Sequence, residues 1–163
     1  MAVKIGEKAF VHDSAVLLGA VEIGDNSSIW PNAVLRADEG SIKIGNRTSI
    51  QDCCVLHADW EQGIEIGSNV TVGHGAVVHA CKIGDNCLIG MNSVVMTDVE
   101  LKGKCIVGAG AVVTKGLKAE NTLILGVPGK VVRELKESEL EDIERKAQEY
   151  VDLKEKYLTG QNV

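Results

Sequence analysis

The chain has 163 residues, enough for one domain with its own core; 45% of them are hydrophobic and only 3% aromatic. Its formal charge of −6 argues against nucleic acid or an anionic membrane as partner, because either needs a basic face. No window approaches the apolar length of a membrane span and Met1–Gly6 carries no signal-peptide pattern, so a cytoplasmic protein is expected.

From Ile5 onward an aliphatic residue recurs every six positions, at Ile5, Val11, Leu17, Ile23, Ile29 and Leu35. Extra residues follow Leu35, and the beat resumes at Ile44, Ile50 and Leu56. After a second insertion it runs through Ile66, Val72 and Val78. One residue is lost before Ile83, then Ile89, Val95, Leu101, Val107 and Val113 keep step, and the beat returns at Leu125. A six-residue period predicts an all-β solenoid, a parallel β-helix with three short strands to each triangular turn and roughly six or seven turns. The solenoid is expected over residues 1–130. Glycines such as Gly45 directly after the inward aliphatic residue would let successive turns pack closely.

The pattern changes after Gly129, and residues 131–163 are expected to form a C-terminal α-helix packed on the solenoid. Ser138-Glu139-Leu140-Glu141 matches a capping box. Leu140, Ile143, Ala147, Tyr150, Val151, Tyr157 and Leu158 follow at helical spacing. Five cysteines give an odd count with no disulfide framework. Cys54, Cys87 and Cys105 sit where small inward residues recur, whereas Cys53 and Cys81 fall one place earlier, where a thiol could be exposed.

Counted in hexapeptides, Leu35, Leu56 and Val78 are three steps apart, because the insertions bulge outward without consuming a step. The residues that follow them, Arg36, His57 and His79, should therefore stack in one column. A second column through Ile29, Ile50, Val72 and Ile89 carries Trp30, Gln51 with Asp52, His74 and Met91. His57 and His79 are then spaced to reach one metal, while His74 lies on the adjacent face and could join them only across a subunit boundary. A cyclic homotrimer would supply that geometry three times. Three imidazoles with a fourth position open form a catalytic zinc pattern, in which the ion lowers the pKa of a water towards about 7. Trp30, Met91 and Met96 read as interface packing or the rim of a small pocket.

Arg36-Ala37-Asp38-Glu39, Gln51-Asp52, His57, and Gly73-His74 through His79 resemble the γ-class carbonic anhydrase family, together with relatives called ferripyochelin-binding proteins. The resemblance implies a left-handed β-helix and a trimer with Zn2+ or Fe2+ between subunits (Co2+ also accepts imidazoles). It implies His57 and His79 as metal ligands from one subunit and His74 from its neighbour. Arg36 and Asp52 would form an intersubunit ion pair, with Asp38 in the same charged network. Gln51 would orient the attacking oxygen, and the reaction would be CO2 hydration to bicarbonate. Glu39 matches one proton-shuttling glutamate of the family. Trp60 stands where a second would be, leaving Asp59 or Glu61 as substitutes, and Ser49 replaces a frequent Asn. Two other functions remain open: a metal-dependent CoA-thioester hydrolase or non-catalytic metal-binding homologue, and an acyltransferase using one His as general base.

Overall fold

The computed structural model describes residues 2–60 and 62–161. Short parallel strands wind into a triangular prism, a left-handed β-helix, and a C-terminal helix lies along one flank. On the first face Leu17, Leu35, Leu56, Val78, Val95 and Val113 stack in register. On the second face Lys4, Glu22, Lys43, Glu65, Lys82, Glu100 and Lys118 form one column, which defines seven turns. The third face stacks Val11, Ile29, Ile50, Val72, Ile89, Val107 and Ile124.

The inward beat is the core. Ile29, Leu35, Ile50, Leu56, Val72, Val78, Ile89 and Val107 are all fully buried. Each such side chain contributes about 1.5–3 kcal/mol through removal from water. Successive turns hydrogen-bond through their backbones, for example Gly24 N to Ile44 O at 2.8 Å and Gly45 N to Ile66 O at 2.8 Å. That spacing leaves no room for a side chain at Gly45, where a Cβ would lie 2.6 Å from the Gly67 carbonyl carbon. The corners turn through left-handed residues three places after an inward aliphatic one, among them Asn26, Asn69 and Asn86. Asparagine tolerates that conformation better than most side chains.

Both insertions bulge as expected. Gly19 pairs with Ala37 and Ala20 with Ser41, so Asp38, Glu39 and Gly40 are the extra residues of the long strand Val34–Ile44. The second bulge follows His57, and its Trp60 is 79% exposed. Down the second face lysine and glutamate alternate at every turn, with ion pairs such as Lys118–Glu100 at 3.1 Å and Lys82–Glu65 at 3.5 Å. Exposed pairs of this kind contribute about 0–1 kcal/mol each.

Helix α1 (Glu137–Thr159) packs against the third face. Trp30 is 5% exposed beneath it, with ring centroids 5.2 Å from Phe10, 5.7 Å from Tyr150 and 5.2 Å from Tyr157. The indole Nε1 donates to Ser28 Oγ at 2.9 Å and Ser49 Oγ at 3.0 Å. Farther along the helix the fully buried Lys154 donates from Nζ to Lys8 O at 2.7 Å, to Asn26 Oδ1 at 3.3 Å and to Glu155 at 2.6 Å. An ammonium can be buried there because several oxygens satisfy it.

Several expectations change. Ile124, not Leu125, is the inward residue of the last turn, and Leu125 is 42% exposed. One residue is lost before that turn, since Ala119 and Ile124 are only five apart. Residues 131–163 are not helical throughout. Lys130–Glu134 is a strand antiparallel to Thr122–Leu125, and the helix begins only at Glu137. The valines there favour an extended backbone, and the turn through Gly126–Gly129 returns the chain along its own edge. Ser138 is not the cap: Glu139 accepts the Lys136 N–H at 2.8 Å and holds both Arg133 nitrogens at 2.7 and 2.8 Å. Trp30 packs under the chain's own helix. Cys53 is exposed, but Cys81 is buried and its thiol is pushed up to about 12 by that burial.

Candidate metal centre

The column predicted from the sequence exists. Arg36, His57 and His79 are partners in register on adjacent turns. His57 Nδ1 lies 3.1 Å from His79 Nε2, with the rings tilted by 60°. His74 belongs to the second column, beside Asp52 and Gln51 on the third face, and does not join the other two within the chain. Among the described residues, no three His, Cys, Asp or Glu side chains of one chain converge on a point that could hold a metal.

The donor set fits a metal in two ways. Two imidazole nitrogens bound to one tetrahedral zinc at about 2.0–2.1 Å stand roughly 3.3 Å apart, close to the separation between His57 and His79. Each of the three histidines also turns its other ring nitrogen toward an oxygen, as ligating histidines do to fix their tautomer. His79 Nδ1 lies 3.0 Å from Thr97 Oγ1, and His74 Nδ1 lies 2.8 Å from Asp52 Oδ2. His57 Nε2 faces Asp38 Oδ1 at 3.8 Å and is buried without a hydrogen bond. That orphaned nitrogen marks His57 as the least settled of the three in the isolated chain. A metal at Nδ1 would leave the proton on Nε2, towards the Asp38 carboxylate.

The charged network divides between the two columns. Arg36 donates to both oxygens of Asp38, at 3.0 and 2.8 Å. That hydrogen bond holds the Asp38 carboxyl below the usual carboxylate range. The carboxylate so held is also the one that faces His57. Asp52, the expected intersubunit partner of Arg36, is occupied by His74 within the chain. Gln51 is buried, and its Oε1 accepts the His74 backbone N–H at 3.1 Å. An N–H can donate only to the carbonyl end of an amide, so this bond also fixes which way Gln51 points. Its NH2 group is left to donate elsewhere.

The expected proton carriers are less well placed. Glu39 sits partly buried in the three-residue bulge, and among the described residues its carboxylate forms no ion pair with a histidine. Glu61 lies outside the described residues. Asp59 Oδ1 accepts the Gln62 N–H at 2.9 Å. Ser49, where the resemblance favours Asn, serves the Trp30 indole.

Thr97 went unnoticed in the sequence. It lies two residues after Val95, whereas the histidine it supports follows Val78 directly, so counting along the beat alone does not align them. Tyr150 of α1 was read only as a helix-packing residue. It also borders the site, its hydroxyl pushed up by burial and by the nearby charges of Asp52 and Glu149.

Known proteins share the repeat and the fold. The family described as "Bacterial transferase hexapeptide (six repeats)" matches residues 2–37 and 80–115. A protein of Methanocaldococcus jannaschii named "Probable carbonic anhydrase" is 48% identical over 91 residues, 56% of this chain and 57% of that protein. The chain thus spans about half the length of the curated relatives it matches. Among solved structures, a hexapeptide transferase family protein from Anaplasma phagocytophilum is 35% identical with a TM-score of 0.91, covering 95% of this chain and 92% of that one. A mutant of AntD, a Bacillus cereus N-acyltransferase solved with dTDP and coenzyme A, has a TM-score of 0.74 at 18% identity, covers 90% of each chain, and shares the fold alone.

Proposed function

We propose that this chain, which belongs to the hexapeptide-repeat family and stands among its γ-carbonic-anhydrase-like members, hydrates CO2 to bicarbonate at metal sites shared between the subunits of a homotrimer. The observation that carries this reading is the stacked pair His57–His79, with His79 and His74 hydrogen-bonded through their other ring nitrogens to Thr97 and Asp52 and with His57 facing Asp38. His57 and His79 of one subunit and His74 of a second would hold zinc, with ferrous iron or cobalt as other candidates for an all-imidazole set. Bound there, the metal would make a hydroxide available at neutral pH by lowering the pKa of a water to about 7.

The protein's own groups prepare that chemistry. Thr97 and Asp52 orient the rings of His79 and His74, and Asp38, steadied by Arg36, does so for His57. Gln51, anchored through its carbonyl oxygen, offers its NH2 group to an oxygen of the reacting pair. Glu39, on the first bulge, and Glu61, four residues after His57 in sequence, are the carboxylates assigned to carry the released proton to solvent. Exposed apolar side chains on the flanks, Leu18, Val55 and Met96, suit burial against neighbouring subunits.

Stopped-flow CO2 hydration on anaerobically purified, metal-analysed protein tests the reading. Activity that tracks zinc or ferrous iron content is expected; a fully loaded protein without activity would remove the enzymatic reading. The acyltransferase alternative draws on likeness of fold, and the paired histidines give it no added support.

A further inference from the structure

A groove of about 390 Å3 lies between α1 and the third face, starting at Gln51 and His74 and running over the later turns. It exists because the column changes character below Gln51. Above it stands Trp30, but the next residues in register are Gly73, Gly90 and Gly108, so backbone alone forms the floor. Leu88, Ile106 and Met91 give the groove an apolar surface. Its volume falls at the lower end of the range for small-molecule sites, about 300–1,000 Å3.

The polar groups along it are mainly donors. Thr71 is 3% exposed and its hydroxyl is buried without a hydrogen-bond partner. A buried hydroxyl without a partner is costly, so a ligand that accepts from it relieves that cost. Gln51 has committed its carbonyl oxygen to the His74 amide and offers only N–H groups. On the helix side Lys146 brings an ammonium, and the neighbouring Glu149 pairs with Arg145 at 2.8 Å.

We propose that this groove binds a monocarboxylate with a short apolar tail of roughly four to eight carbons. The carboxylate is taken by the donors Thr71, Gln51 and Lys146, and the tail lies on Leu88, Ile106 and Met91. The proposal does not depend on the hydration reading, although His74 links the two sites. A carboxylate seated there would lie next to the proposed metal ligand, so occupancy could report on that centre.

Calorimetric titration of the full-length protein with hexanoate, acetate and hexanol tests it without any turnover. Hexanoate should bind saturably, with acetate and hexanol each weaker by about tenfold or more, since tail and head contribute separately. Thr71→Val and Lys146→Gln should each weaken hexanoate by about five- to tenfold. If Thr71→Val does not fold, Lys146→Gln decides alone. Equal binding of acetate and hexanoate would mean that the metal or the surface captures the carboxylate, and would overturn the proposal. So would absence of hexanoate binding, or hexanoate affinity unchanged in a folded variant. A protein without CO2 hydration that still shows the expected pattern would separate this inference from the proposed activity.

Discussion

His57 and His79 lie on adjacent turns of one face, 22 residues apart in sequence, with His57 Nδ1 and His79 Nε2 separated by 3.1 Å. Nothing local brings them together. The four-residue bulge after His57 moves outward, so the inward residues before the two histidines, Leu56 and Val78, stay in register. Changing the bulge length by one residue would be absorbed outside the prism, whereas deleting one inward residue would shift every later side chain.

Thr97 holds His79 through Nδ1 at 3.0 Å. Replacing Thr97 with Val keeps the shape and removes the oxygen. Metal affinity should fall by about 10–100-fold, the usual effect of losing such a partner, with an unchanged circular dichroism spectrum. Chelator competition would measure it, and an unchanged affinity would show that Thr97 does not set the ring.

Trp30 joins the solenoid to the helix by packing on Tyr150 and Tyr157, and two hydrogen bonds to Ser28 and Ser49 of the solenoid hold its indole in place. Trp30→Phe should cost about 1–3 kcal/mol, because it strands buried hydroxyls as well as losing contact area. Urea denaturation would register the loss, and Ser49→Ala in the Trp30→Phe background should then cost less than it does alone.

At Gly45 a methyl group would press on the backbone of the next turn, 2.6 Å from the Gly67 carbonyl carbon. Backbone cannot swing aside as a side chain can. Gly45→Ala should therefore destabilise by about 1–3 kcal/mol, contrary to the small gain such a change often gives where space is free. Thermal unfolding distinguishes the two signs.

The Glu139 carboxyl is pulled from its ordinary 4.5 down to about 2 by hydrogen bonds from Arg133 and from the Lys136 backbone. A carboxyl depressed in the folded state stabilises fully above its unfolded pKa and loses that contribution as pH falls through the folded one. Helix docking should thus weaken between about pH 4.5 and pH 2. Glu139→Gln should flatten that part of the stability profile, measured by urea unfolding across the range.

The solenoid was legible because its inward residues obey one period and the interruptions leave that period in step. So were the columns of Arg36, His57 and His79 and of Gln51, Asp52 and His74, which follow from the same counting. The period says nothing about which flank a helix will cover, so Trp30 could be placed in its column but not beneath Tyr150 and Tyr157. Leu125 kept the expected spacing better than Ile124, yet the final turn is one residue short and returns through an antiparallel strand. Ser138 has the composition of a cap, but Arg133 and the Lys136 amide converge on Glu139 and start the helix earlier. Cys81 was misread because its corner is the shortened one, which draws the thiol inward. Thr97 supports a histidine across turns, a contact that no spacing within one turn reveals.

In the proposed trimer one subunit supplies His57 and His79 and another supplies His74. Mixing His74→Ala with His57→Ala under conditions of proven subunit exchange tests it directly, with tightly bound metal per chain as the readout. Each variant alone should lack tight sites, and random hybrids of a closed ring should regain about a quarter of them. No recovery in demonstrated hybrids, or full metal binding by either variant alone, would contradict a shared site.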